Sequence, residues 1–265
     1  VRDTWQLYDD PVETPLGFKM VGNSLMQTGE YEPQETQIAI EILPHVDVFI
    51  NIGANIGYYC CVALHYGKQH CHIVAFEPIY HNLFYLLQNI KINHWESRVE
   101  IYPVALSNKP GVIEIFGGGP QASLIEGWGR RPDQYVTLVP ASTLDSVIGS
   151  RFQGKQCFVI VDIEGAEQMM LEGAQSFVNQ HPKPVWMIEV SISEHQPEGV
   201  IVNPKLLSTF HFFWNRGYES WTADRQCRPV YPDEIERVAT GGTDTFSTHN
   251  FLFVERGRKN EFLNI

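Results

Sequence analysis

The sequence predicts a doubly wound α/β fold: a mostly parallel sheet covered by helices on both faces. Three observations carry this. Short strand-like and helix-like segments alternate from residue 35 onward, the strand-like segments are apolar throughout rather than on every second residue, and one of them runs through a glycine turn directly into a helix.

Taken in order, residues 1–34 hold turn formers (Asp9-Asp10-Pro11, Pro15-Leu16-Gly17) and scattered aromatic residues without sustained periodicity. They predict an extension packed on a main domain, residues 35–265. Ile38, Ile40, Ile42 and Leu43 give a short apolar helix face ending before Pro44, followed by a strand over 46–50. Helix 56–66, strand 73–76, helix 82–92, strand 99–104, strand 158–161, helix 166–177 and strand 185–190 continue the alternation. The less regular stretch 108–142 contains β-like runs at 112–116 and 135–139 around Gly117-Gly118-Gly119, which predicts an inserted hairpin or lid. Residues 206–214 read as a helix, Gly217-Tyr218 starts a strand, the polar stretch 222–247 reads as a second insertion, and Phe251-Leu252-Phe253-Val254 closes the sheet.

The 265 residues, 43% hydrophobic and 19% charged, suffice for one large domain with a substantial core. Nineteen Lys+Arg against 31 Asp+Glu leave a formal charge of -12, and the few adjacent cations (Arg130-Arg131; Arg256, Arg258, Lys259) make no broad basic patch. Nucleic acid is therefore an unfavoured partner. Cys60, Cys61, Cys71, Cys157 and Cys227 show no Cys-x-x-Cys spacing and read as small buried hydrophobes in a reducing, cytoplasmic setting. No apolar run reaches the ~18 residues of a membrane span. The start, Val1-Arg2-Asp3-Thr4-Trp5, resembles neither a signal peptide nor an initiator sequence, and suggests a trimmed or excised piece. Oligomeric state is not legible.

The most informative segment is Phe49-Ile50-Asn51-Ile52-Gly53-Ala54-Asn55-Ile56-Gly57. Gly53 and Gly57 allow a sharp turn and close approach of a ligand, and the following helix start offers free N–H groups. The spacing is G-x-x-x-G, short of the G-x-G-x-x-G dinucleotide fingerprint, so a cofactor without a pyrophosphate fits better. Ala75-Phe76-Glu77-Pro78 then places a carboxylate at the tip of the next strand, where a ribose diol would lie. The plainer reading of Glu77 is an acid favoured in the first turn of the following helix.

These segments, together with Val104-Ala105-Leu106-Ser107, Ser142-Thr143-Leu144-Asp145, Val161-Asp162-Ile163-Glu164-Gly165-Ala166-Glu167 and Leu171-Glu172-Gly173-Ala174, resemble the FkbM family of S-adenosylmethionine-dependent methyltransferases over about residues 35–255. The resemblance implies a Rossmann-like class I methyltransferase fold with a seven-stranded sheet whose last strand is antiparallel. It implies S-adenosyl-L-methionine as cofactor, with Asn51, Gly53, Ala54, Asn55 and Gly57 near the methionine portion, Glu77 and Pro78 at the ribose, Ala105, Leu106 and Ser107 near adenine, and Ser123 beside the cofactor. Asn51 departs from the family's usual aspartate, keeping an acceptor but losing its charge.

Methyl transfer to a hydroxyl requires in-line approach and removal of the hydroxyl proton. Asp162 and Glu164 stand at the predicted end of one strand and Glu189 at the end of its neighbour. Crowded carboxylates either raise one another's pKa and yield a base, or gather around a hard divalent cation; the base or cofactor-positioning role is favoured and a metal is not. His195 and His249 are further candidate bases. Trp128, Arg130 and Tyr135 are candidate acceptor-pocket residues. Glu167 suits the first turn of a helix. The expected acceptor is a neutral small molecule or glycan. Two other readings stand beside this one: a noncatalytic cofactor-binding scaffold, to which Asn51 lends support, and a nicotinamide-dependent oxidoreductase, which the incomplete glycine fingerprint disfavours.

Overall fold

The computed structural model describes residues 7–117, 122–130, 136–241 and 243–263. Gly118, Gly119, Gln121, Arg131 and Tyr135 lie outside the described residues, as does the side chain of Arg130.

The chain opens with a hairpin, β1 (Leu7–Glu13) and β2 (Lys19–Asn23), and a one-turn helix α1 (Ser24–Thr28) capped by the Asn23 side chain. The alternating core follows: α2 (Pro33–Ile42), β3 (Val48–Ile52), α3 (Tyr58–Tyr66), β4 (His72–Phe76), α4 (Tyr80–Ile92) and β5 (Val99–Tyr102). A small sheet is built from β6 (Ala105–Leu106), β7 (Gly111–Phe116) and β8 (Val136–Ser142). Then come α5 (Leu144–Ile148), β9 (Cys157–Val161), α6 (Glu167–Glu172), β10 (Val185–Glu189), α7 (Leu206–Trp214), β11 (Tyr218–Thr222), β12 (Pro229–Val230), α8 (Pro232–Ala239) and β13 (Asn250–Glu255).

The main sheet runs β12-β11-β13-β10-β9-β3-β4-β5. β3, β4, β5, β9 and β10 are mutually parallel, and β13 is antiparallel to β10. Chain order reverses between β3 and β9, the switch point at which open α/β sheets bind ligands beyond the strand ends. The sheet has eight strands rather than seven because the two-residue β12 adds to the edge of β11. The doubly wound class and its antiparallel last strand are as the sequence predicts.

Alternate residues of each strand feed two cores. Phe49, Ile73, Ala75, Phe158 and Ile160 face α2, α3 and α4; Ile50, Val74, Phe76, Val159, Val161 and Trp186 face α5, α6, α7 and α8. Both faces are apolar, which is why the strands read as continuous hydrophobic runs.

Some boundaries differ from the expectation. The first core strand is shifted two residues along, because Leu43–His45 forms a 3₁₀ turn closed by Val46 N–H onto Leu43 O. β5 ends at Tyr102, before Pro103, which has no N–H to give the ladder. The helix expected over 166–177 stops at Glu172: a Cβ on Gly173 would sit 2.2 Å from Ser107 O, and Asp145 then caps Ser176 and Phe177 at 2.8 and 2.9 Å. The polar stretch 222–247 contains β12 and α8, whose Pro232-Asp233-Glu234 start is a helix signal the polarity obscures.

Candidate functional site

The glycine turn follows β3. Gly53 and Ala54 donate backbone hydrogen bonds to Phe76 O at 3.0 and 2.9 Å, tying the turn to the end of β4. Gly53 has φ 79°, and a Cβ there would lie 1.8 Å from the Asp162 carbonyl oxygen. The turn therefore passes directly against the end of β9, which only glycine permits. Gly57, at φ 88°, is the N-cap of α3 and packs under Leu86.

Glu77 follows β4 and is 3% exposed. Its carboxylate accepts from Asn55 N at 2.7 Å, Ile79 N at 2.8 Å and Asn82 Nδ2 at 3.3 Å. It thus braces the glycine turn and also serves the entry to α4. Burial pushes its pKa up to about 7, against the lowering effect of the three donors.

Between these elements lies a cleft lined on the turn side by Gly53, Asn55, Glu77 and Pro78 and on the far side by Ala105, Leu106, Ala122 and Leu124. Asp162 and Glu164 close its end. Several expected contacts are absent from the lining. Asn51 is 2% exposed inside β3 and faces α3, where its Oδ1 meets Cys60 Sγ at 3.6 Å. Ala54 and Gly57 lie beneath the turn in the packing of α3, and Ser107 is buried against Gly173. Ser123 is turned away, its hydroxyl donating to Glu164 O at 2.5 Å and accepting from Ile125 N at 2.9 Å.

The two carboxyl groups at the end of the cleft, Asp162 and Glu164, interact with two more that do not line it, Glu32 and Glu189. Asp162 shares a hydrogen bond with Glu189, and Glu32 and Glu164 lie close enough for mutual repulsion with both. Burial, with that repulsion, pushes Glu32 and Glu164 up to about 8 and raises Glu189 well above the ordinary range, and burial alone raises Asp162 against the lowering effect of its hydrogen bond with Glu189. The field of His195 acts on Asp162 in the opposite sense to burial. Asp162 Oδ1 and Asn55 Oδ1 are buried without a hydrogen-bond partner, which is costly unless a ligand completes them.

Glu164 is held from the far side. Trp128 Nε1 donates to its Oε2 at 2.6 Å, and the indole stacks on His195 with ring centroids 6.2 Å apart. Glu164 itself has φ 53° and Gly165 φ 95°, where a Cβ would lie 2.5 Å from the Trp128 ring. Glu167, buried and raised to about 7 by desolvation, accepts from Gly165 N at 2.9 Å and so fixes this turn rather than facing the cleft. His195 is exposed at the rim. His249 sits apart, facing Asp244 and Glu194.

Glu32 is the member sequence reasoning missed. It precedes Pro33 at the start of α2, takes the left-handed conformation (φ 41°), and accepts from the Tyr59 hydroxyl at 2.6 Å and from Tyr31. No local signal marks it, since Tyr-Glu-Pro reads only as a helix entry. What brings it to the strand ends is the packing of α2 on α3.

A glycine turn, a braced carboxylate on the adjacent strand tip and a cleft at the switch point define an α/β protein built to hold a nucleoside-bearing cofactor. The Methyltransferase FkbM domain matches residues 51–220, well over half of the sequence, and the chain belongs to that family. Among solved structures it is similar to the methyltransferase FkbM from Methylobacillus flagellatus KT, at 16% identity and TM-score 0.46 over 79% of this chain and 44% of that one. This chain thus spans less than half the length of that protein. An O-methyltransferase from Bacillus cereus in complex with SAH is 11% identical, with TM-score 0.46 over 84% of this chain and 80% of that one. A SAM-dependent O-methyltransferase from Thermotoga maritima is 12% identical, with TM-score 0.45 over 92% and 76%. At these identities and scores, the likenesses say nothing of what this chain acts on. Among curated proteins no match was found.

Proposed function

We propose that this chain transfers the methyl group of S-adenosylmethionine to a hydroxyl oxygen of a sugar or another small molecule. The observation that carries the reading is the pair of buried, unpartnered acceptors, Asp162 Oδ1 and Asn55 Oδ1, in a cleft that Glu77 also lines. Such acceptors suit the cofactor's ammonium group, and a buried carboxylate at the second strand tip suits two ribose hydroxyls. Gly53 lets the turn pass close against Asp162 at the edge of the cleft, and Ala105, Leu106 and Leu124 offer apolar walls for adenine. Bound there, the cofactor supplies a methyl group on a cationic sulfur, open to in-line attack.

The chain's own residues then orient the acceptor and take its proton. Asp162 holds the ammonium. Glu32 and Glu164, beside Asp162 and raised to about 8, supply the ionised carboxylate that takes the hydroxyl proton as the carbon–oxygen bond forms and the methyl–sulfur bond breaks, while Glu189, raised well above the ordinary range, keeps its proton in the bond with Asp162. Trp128 keeps Glu164 in place. The carboxyl groups share protons and hydrogen bonds, so no metal ion is invoked among them. An acceptor without phosphates suits this acidic wall and the formal charge of -12.

Among the described residues no helix is long and apolar enough to cross a membrane. The five free, buried cysteines suit a reducing compartment, and the cytoplasm is where we place the reaction.

The test is incubation with S-adenosylmethionine and a panel of mono- and oligosaccharides, read by S-adenosylhomocysteine release and product mass. Methyl ethers formed by the wild type and lost in Asp162→Asn are expected. Transfer only to nitrogen acceptors would overturn the hydroxyl assignment. Cofactor binding without transfer to any acceptor tried would favour the scaffold reading.

A further inference from the structure

Away from the cleft, the loop after β10 and the loop before β13 bring together Glu194, Asp244 and His249. His249 Nε2 lies 3.0 Å from Asp244 Oδ2 and 3.5 Å from Glu194 Oε2, and one ligand atom from each residue falls within 4.8 Å of the others. Neighbouring ligands of an octahedral ion with bonds of about 2.1 Å are about 3 Å apart, a spacing that His249 and Asp244 match and His249 and Glu194 approach.

Without a cation His249 Nε2 pairs with Asp244 and leaves the exposed Glu194 without that donor. One imidazole nitrogen carries at most one hydrogen and serves one carboxylate at a time. Asp244 Oδ1 accepts from Phe246 N at 2.9 Å and Glu194 Oε2 from Ser193 N at 3.3 Å, while among the described residues neither carboxylate pairs with Lys or Arg. A divalent ion would satisfy the nitrogen and both carboxylates together.

We propose that Glu194, Asp244 and His249 form a divalent-cation site that fastens the segment before β13 to the loop after β10. One imidazole with two carboxylates suits Mn²⁺ or Zn²⁺ better than Ca²⁺, which takes oxygen ligands. The site would steady the reacting end from outside. His249 O accepts from Val190 N at 2.7 Å beside Glu189. Next to Glu194, His195 O accepts from Gly129 N at 2.6 Å, and its ring stacks on the Trp128 that holds Glu164.

The test uses tag-free protein stripped with a chelator and titrated calorimetrically with Mn²⁺, with Zn²⁺ melts alongside. All five cysteines are buried, so thiols do not compete for Zn²⁺. One saturable Mn²⁺ site per chain and an upward melting shift are expected. Both should weaken at least about tenfold in His249→Ala and in Asp244→Asn, each checked for an unchanged far-UV spectrum. If one variant fails to fold, the other decides. No saturable Mn²⁺ or Zn²⁺ binding, equal binding by the folded variants, or a preference for Ca²⁺ would overturn the proposal.

Discussion

Raising the pH from about 5 to about 8 should destabilise the ligand-free protein, because its buried carboxyl groups hold protons that the unfolded chain gives up. Glu77 and Glu167 move from 4.5 to about 7, and Glu32 and Glu164 from 4.5 to about 8, chiefly through burial. Below the unfolded value both states are protonated and the contribution is intact; as pH rises through the folded value it is lost. For Glu77 and Glu167 the shift amounts to about 3 kcal/mol apiece across the window, and coupling among the others makes their sum less than additive. Groups held low, such as Asp47 and Glu100, act in the opposite sense but only at more acid pH. Urea denaturation at intervals across this range should therefore show a net fall of several kcal/mol. Glu189→Gln should flatten the fall, since the amide keeps a donor for Asp162 and cannot ionise. Stability that is constant or rises toward alkaline pH would refute the reasoning.

Three further outcomes follow from single contacts. Gly53→Ala sets a methyl 1.8 Å from Asp162 O and should abolish S-adenosylhomocysteine binding while lowering the melting temperature. Trp128→Phe removes the 2.6 Å donor to Glu164, and should cost about 1–3 kcal/mol in urea denaturation at a pH where Glu164 is ionised. Asn51→Asp puts a carboxylate at a 2% exposed position whose hydrogen-bond partner is the Cys60 thiol, and melts should show a loss that deepens as pH rises.

Local patterns made much of this legible. The continuous apolar runs of β3, β4, β9 and β10 reflect a sheet packed on both faces, and the glycines of the turn reflect backbone conformations that few other residues adopt. Glu77 stood out because strand and helix place it with little help from distant chain. Glu32 did not, since only the packing of α2 against α3 carries it to the strand ends. The end of α6 at Glu172 was equally hidden: it depends on Ser107 O lying where a side chain of residue 173 would go. His249 looked like a candidate base because it precedes the last strand, yet its ring faces Asp244 and Glu194 instead of the cleft.

The most direct test of the central claim is a calorimetric titration with S-adenosylhomocysteine of the wild type and of Glu77→Ala, with a nicotinamide dinucleotide as control. Saturable binding of the homocysteine compound, at least about tenfold weaker in the variant and absent for the dinucleotide, is the predicted result. A folded wild type that binds no S-adenosylhomocysteine, or binds the dinucleotide instead, would contradict it.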